Sequence, residues 1–320
     1  MDLHVFENKS VYHISDCDLD GNSCRLIAEI IIQPICKNYI PLNTYNRDME
    51  EFSLENAKIS DIIIFTDITP TKIIYEKLVD LKKEIYIFDH HITGKQELGD
   101  LENYYFDDTI CGAKIFFDEL TKDRRKNRTL SQIVELTDTY DMWRTDSLLW
   151  EKAKDLSNVL YSYVNWSLRD VQTDTERYSE FLRVQHKKIQ ENKSFMFTQY
   201  EQVNALKARQ KEEDSYKKAK KSIQFRVDSC GNSYGYVEIP SKTSIVCHRL
   251  LLDLKEKIKY LVAHSSWDKS STKVSLRSKD GMDVSKIAEK WSGGGHVAAA
   301  AVELSPDIFK QLKEGRIHLI

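Results

Sequence analysis

Asp16, Asp18 and Asp20 occupy alternate positions in the run Asp16-Cys17-Asp18-Leu19-Asp20-Gly21. Alternate aspartates leaving a strand present several carboxylates to hard divalent cations such as Mg²⁺ or Mn²⁺. A calcium loop of EF-hand type would also need a glutamate six residues beyond the glycine, and that position holds Ile27, so this reading fails. A plain acidic turn uses the same residue types, so the three aspartates alone leave the choice open. Asp67, at the end of the apolar run DIIIFT, and Asp89-His90-His91, at the end of IYIF, change the balance. Imidazole nitrogens beside carboxylates suit Mn, Fe, Co or Zn. About half a dozen such ligands suffice for two metals ~3.5–4 Å apart, which activate a bridging hydroxide and neutralise charge on both sides of an in-line displacement at phosphorus.

These residues converge only if the right elements carry them. Ser10 to Ser15 (SVYHIS) is a short β-rich run that ends in the acidic turn. A helix is expected from about Asn22 to Gln33, stopped by Pro34. Asp61 to Thr66 and Ile85 to Phe88 are continuous apolar runs of strand length, the pattern of strands buried on both faces, and Thr71 to Lys83 between them is helical in pattern. The expected fold class is therefore α/β, with a parallel, doubly wound sheet in the N-terminal part. In such sheets ligands bind at the carboxyl ends of the strands, where three separate strands here deposit Asp and His. From about Leu130 to Lys221 the chain is helical, polar and charged, and from Ser222 short β-rich runs return. The expected domains are residues 1–160, a helical connector over 161–221, and a smaller mixed α/β domain over 222–320.

Composition narrows the function classes. Of the 320 residues, 41% are apolar and 30% charged, the balance of an ordinary globular protein, and no stretch approaches the ~20 apolar residues of a membrane-spanning helix. The N-terminus has no secretory signal pattern, and the six cysteines are scattered without a C-x-x-C pair, so reduced thiols in a cytoplasmic protein are expected. A formal net charge of −3 argues against a protein that grips a long nucleic acid, whose phosphates demand a basic surface. A small anionic substrate fits better.

In order along the chain, SDCDLDG, FTDITP, FDHHITG and ELTDTYDMW resemble the four motifs of the DHH phosphoesterase superfamily, which includes RecJ-type exonucleases, nano-RNases, cyclic-dinucleotide phosphodiesterases and manganese pyrophosphatases. The segment VSLRSKDGMDVSKIAEKWSGGGHVAAAAVEL resembles the DHH-associated C-terminal domain, and the whole match spans residues 13 to 303. SDCDLDG and the Tyr-Asp-Met-Trp segment are most similar to the nano-RNase, or oligoribonuclease, branch. The resemblance implies two divalent metal ions, Mn²⁺ first, with Mg²⁺ or Co²⁺ as alternatives. It implies Asp16 and Asp18 on one metal, Asp20, His90 and Asp141 on the other, and Asp67 bridging. Asp138, three residues before Asp141, competes for the fourth-motif role. Asp89 and His91 are the expected catalytic residues, with His91 polarising the scissile phosphate. Arg277, Gly293, Gly294, Gly295 and His296 are expected to hold phosphate or base.

Two departures from the family pattern stand out. Many relatives begin the first motif with a histidine where this chain has Asp16, and Ala301 takes the place of the last glycine of GGGH-x-x-AAG. His13 is expected to be a packed or surface histidine. Cys111-Gly112-Ala113 opens a helix, either packing near the metals or as an ordinary cap.

The expected activity is hydrolysis of short RNA or DNA to mononucleotides through a metal-bridging hydroxide, with the substrate clamped between the two domains. A cyclic or linear dinucleotide phosphodiesterase is the enzyme alternative, and a non-catalytic nucleotide-binding scaffold the alternative outside enzymes. The expected partner is a short oligonucleotide or dinucleotide, with no membrane. The oligomeric state is open, with a homodimer among the options.

Overall fold

The structure, a computed structural model, describes all residues except 46–49, 165–173, 266–271 and 280; the side chains of residues 50–53, 174 and 296 are also left aside. The chain divides into two compact units, Met1–Ala205 and Leu206–Ile320.

In the first unit, β1 (Ser10–Ser15), α1 (Leu19–Ile31), β2 (Asn38–Asn43), α2 (Glu50–Ile59), β3 (Ile62–Thr66), α3 (Lys72–Asp80), β4 (Glu84–Asp89), α4 (Ile92–Leu98) and β5 (Tyr104–Phe106) alternate. The five strands form a wholly parallel sheet in the order β2-β1-β3-β4-β5. Successive side chains of a strand point to opposite faces. Ile62 and Ile64 of β3 and Phe88 of β4 therefore enter one core, while Ile63, Phe65 and Ile87 enter the other. Both faces are covered, which is why these strands read as continuous apolar runs rather than alternating ones. The first core also contains residues of α5 (Gly112–Thr121), α6 (Arg128–Asp141), α7 (Trp150–Tyr163) and α9 (Ser179–Glu191). The short α8 (Asp174–Arg177) lies between the last two, and α10 (Gln199–Ser222) runs across the division between the units.

The fold class is as expected; several element bounds are not. Helix α1 begins at Leu19, three residues before the expected start, because Asp18 caps it: its carboxylate accepts from the backbone N–H of Asp20 and Gly21. Asp20 and Gly21 are therefore helical, not turn residues. Strands β2 and β5 have no expected counterpart. β2 (NYIPLN) contains Pro41, which a sheet edge tolerates because the missing N–H faces no partner there, and β5 has only three residues.

In the second unit, β6 (Gln224–Val227), β7 (Ser233–Ile239), α11 (Thr243–Asp253), β8 (Tyr260–Ser265), β9 (Lys273–Ser278), α12 (Ser285–Glu289), β10 (Gly294–His296), β11 (Ala299–Glu303) and α13 (Pro306–Lys313) build a six-stranded sheet in the order β10-β11-β9-β8-β7-β6. It is mixed, with β7 and β8 parallel and the other pairs antiparallel.

Candidate metal centre

The order β2-β1-β3-β4-β5 reverses direction between β1 and β3, and the carboxyl ends beside such a switch point form a crevice. Asp16 follows β1, Asp67 follows β3 and Asp89 closes β4. The crevice is deepened from the other side by α1, which brings Asp20, and by the end of α6, which brings Asp141.

Close approach of these elements depends on two glycines. A Cβ on Gly21 would stand 2.1 Å from the carbonyl oxygen of Asp16, and one on Gly112 would stand 3.1 Å from Cα and Cβ of Asp67. Helix α5 has no side-chain cap at Cys111. Instead the backbone N–H of Gly112 and Ala113 donate to the two oxygens of Asp20 at 2.7 and 2.8 Å. The positive end of the helix dipole thus holds a buried carboxylate supplied by another helix. This gives the Cys111-Gly112-Ala113 helix start a role at the centre beyond ordinary capping.

Nε2 of His90 lies 3.4 Å from Asp67, 3.5 Å from Asp141 and 3.9 Å from Asp20. Asp67 is 3% exposed, and one oxygen of Asp67 and one of Asp141 are buried without a hydrogen-bond partner. Burial, reinforced by neighbouring carboxylates, raises Asp18 and pushes Asp67 and Asp141 far above the usual carboxylate range; the same causes push Asp16 up to about 7. Burial also lowers the pKa of His90, leaving a neutral imidazole with a nitrogen free to ligate. Buried like charges with orphaned oxygens are expensive unless a cation joins them. The donor set thus fits divalent metal. Among the described residues, two groups can each converge on one ion, Asp20 with His90 and Asp141, and Asp67 with Asp89, His90 and His91.

Asp89 is itself fully committed. One oxygen accepts from the backbone of His90 at 2.8 Å and stands 2.7 Å from Nδ1 of His91; the other accepts from Thr69 at 2.5 Å. Burial opposes charge on His91, but the Asp89 hydrogen bond and charge outweigh it and raise the imidazole to about 9. His91 therefore carries a proton at neutral pH and faces a pocket of about 180 Å³ shared with Asp16 and Asp67.

Between the fourth-motif candidates, Asp141 faces His90. Asp138 accepts instead from the backbone of Cys111 at 2.9 Å and pairs with Arg144 at 3.0 Å. His13 is packed: it is 1% exposed, bridges Tyr39 and Thr66 at 2.7 and 2.8 Å, and is held neutral by burial, its pKa about 3.

Two asparagines that sequence reasoning missed hold the first motif. The Asn22 amide donates to the carbonyls of Cys17 and Asp18, and the Asn43 amide donates to Ser15 and to the carbonyl of Asp16. Asn22 directly follows the acidic run, a signal that was available. Asn43 ends a strand whose pairing no local pattern announces.

In the second unit, Arg277 is half-buried, and its guanidinium donates to the carbonyls of Leu276 and Ala300 and to Ser244. The glycine run is not a loop open to phosphate along its whole length: Gly294 and Gly295 are strand residues of β10, paired with Ala301 and Ala300. A Cβ on Gly293 would meet the Ala301 carbonyl at 2.3 Å, and Gly295 has φ +142°, so these two serve the tight β10–β11 approach. A Cβ on Gly294 would meet nothing within 4 Å. The backbone of His296 pairs with Ala299; its side chain lies outside the described residues.

Residues 231–315 match the DHHA1 domain family. The chain is 25% identical over 316 residues to oligoribonuclease NrnB of Bacillus subtilis, a match covering 94% of this chain and 74% of that protein. It is 29% identical over 162 residues to a 3′,5′-cyclic-nucleotide phosphodiesterase of Helicobacter pylori, covering 45% of this chain and 47% of the relative. RecJ from Thermus thermophilus in complex with Mn²⁺ shares the fold, with TM-score 0.55 and 15% identity over 98% of this chain and 52% of that one. The fold is a parallel α/β unit followed by a mixed-sheet unit, and the site is a buried cluster of carboxylates and imidazole suited to divalent metal. The chain carries a DHHA1 match over residues 231–315 and as a whole is similar to the oligoribonuclease branch of the DHH phosphoesterases.

Proposed function

We propose that this chain is a metal-dependent phosphodiesterase that hydrolyses short oligonucleotides, RNA or DNA, to mononucleotides in the cytoplasm. The observation that carries the reading is the buried convergence of Asp20, Asp67, Asp141 and His90 at one sheet end, with two carboxylate oxygens that accept no hydrogen bond. Asp16 and Asp18 would hold one Mn²⁺, Asp20, His90 and Asp141 a second, and Asp67 would serve both. The bound pair would supply a water ionised at neutral pH and neutralise charge at phosphorus.

The chain's own groups do the rest. His91, protonated and oriented by Asp89, donates from Nε2 to a non-bridging phosphate oxygen, withdrawing charge as the transition state gains it. The N–H groups at the start of α5 hold both oxygens of Asp20 in place. Arg277, His296 and the open face of Gly294 are proposed to contact phosphate or base, Arg277 through whichever guanidinium donors its carbonyl bonds leave available. The similarity to NrnB supports linear oligonucleotides; a cyclic or linear dinucleotide is the second reading, and the Helicobacter relative, named for 3′,5′-cyclic nucleotides, supports it only as far as a cyclic phosphodiester.

The test is purified protein with Mn²⁺, incubated with end-labelled RNA and DNA of two to twenty nucleotides and with cyclic dinucleotides. Fastest loss of the shortest linear species is expected. Preference for cyclic species moves the protein to the second reading, and no turnover of any substrate contradicts both.

A further inference from the structure

Among the described residues, the pocket that holds Asp16, Asp67 and His91 has one tyrosine wall, Tyr45. An exposed tyrosine on a surface segment ordinarily swings freely. This one is 60% exposed, yet its hydroxyl is bonded at 2.9 Å to the hydroxyl of Tyr178, which is only 2% exposed. Burial of the hydroxyl end pushes the Tyr45 phenol up to about 12, so the tether stays neutral and intact across the working pH range. The position is supported from behind as well. Two residues before Tyr45, the Asn43 amide holds the carbonyl of Asp16, and its backbone N–H donates to Thr175. A flat ring is thus fixed by its inner end beside the carboxylates, with its body open to solvent.

Fixed aromatic faces beside a phosphate site are how proteins hold nucleobases without reading sequence, since every base has a π-face. We propose that Tyr45 is a base-stacking residue that binds the nucleobase of the nucleotide whose phosphate lies at Asp16 and His91. This rests on the phosphodiesterase reading of the same pocket and adds its substrate element: the site takes a nucleotide of any base and discriminates against a sugar-phosphate that lacks one. The contact acts on binding, so it is expressed in KM with little change in kcat.

The test is a coupling cycle between the ring and the base. The substrates are a 5′-phosphorylated dinucleotide and the same molecule made abasic at each position in turn, with Mn²⁺. In the native protein, loss of the stacked base should reduce kcat/KM about 5- to 150-fold. In Tyr45→Ala the same loss should cost less than about threefold, while Tyr45→Phe, which keeps the ring but loses the bond to Tyr178, should fall between alanine and the native protein. Equal cost of base removal in the native protein and Tyr45→Ala overturns the proposal, as does a Tyr45→Phe variant no better than alanine. Should the native protein turn over nothing, calorimetric titration of the dinucleotide decides. Weaker binding to Tyr45→Ala upholds stacking although the hydrolase reading has failed; equal binding overturns stacking; no binding by the native protein overturns both. Tyr45 is exposed, so matching thermal midpoints of the variants exclude a folding defect as the cause.

Discussion

Nδ1 of His91 lies 2.7 Å from the carboxylate of Asp89, whose other oxygen is held by Thr69. This pair makes His91 a cation through neutral pH, because a folded-state pKa of about 9 keeps the proton on until the pH rises through that value. Activity is therefore expected to fall on the alkaline side as the imidazolium is lost. Asp89→Asn should lower kcat about 10–100-fold and move the alkaline limb to lower pH, toward the ordinary histidine value. His91→Ala should lower kcat ~10²–10⁴-fold with Mn²⁺ affinity held within a few-fold. Rate–pH profiles check both; an alkaline limb that stays put in Asp89→Asn contradicts the coupling.

Without metal, the acidic cluster should make stability depend on pH with a defined sign. Asp16, at about 7, holds its proton in the folded state and not in the unfolded chain, where a carboxylate titrates near 3.9. The stability it contributes is present at low pH and is lost as pH rises through about 7. Asp18, Asp67 and Asp141 shift in the same direction. His13, buried and neutral with a pKa of about 3, works the other way, but its contribution is complete above about 6.5. Between pH 6.5 and 8.5, the melting temperature in chelator should therefore fall as pH rises, and Mn²⁺ should raise it more at pH 8.5 than at 6.5. Scanning calorimetry at both pH values checks this. A metal increment independent of pH argues against the carboxylates as the binding groups.

Asp67→Asn should separate stability from function. Replacing a buried carboxyl whose ionised form burial and its neighbours disfavour should raise the melting temperature of the chelated protein at pH 8, by roughly 2–4 °C for each kcal/mol of relief. The same change should abolish most of the Mn²⁺ increment and the hydrolysis. Comparing the two melting curves with and without Mn²⁺ checks both halves.

Asp138 and Asp141 should fail in different ways. Asp138→Ala leaves the backbone N–H of Cys111 and the Arg144 guanidinium without their carboxylate and should cost about 1–3 kcal/mol of stability in urea. Asp141→Asn should cost little stability and weaken Mn²⁺ binding at least tenfold. The reverse pattern would assign the metal to Asp138.

Much of the site was legible in the sequence because buried parallel strands announce themselves twice, by their apolar runs and by the polar residues at their ends. Ile62–Thr66 with Asp67 and Glu84–Asp89 with His90 show this. The choice between Asp138 and Asp141 was not legible, since both lie on α6 and only the third-dimension partners, Cys111 and His90, separate them. Nor was the grip of α5 on Asp20, which joins residues 92 positions apart through backbone N–H groups that carry no side-chain signature. Nor does a glycine run announce the strand β10, in which Gly295, with φ +142°, takes part in a close strand pair. Edge strand β2 hid behind Pro41, a residue that ordinarily argues against a strand.

The central claim is that the acidic cluster binds metal to cleave a phosphodiester, and it is tested most directly by hydrolysis of one end-labelled dinucleotide. The native protein, Asp67→Asn and the double variant Asp89→Ala, His90→Ala would be compared in Mn²⁺ and in chelator. Release of mononucleotide by the native protein in Mn²⁺ alone, with both variants at least ~10²-fold slower, is the predicted result. Undiminished release in chelator, or by Asp67→Asn in Mn²⁺, would contradict it.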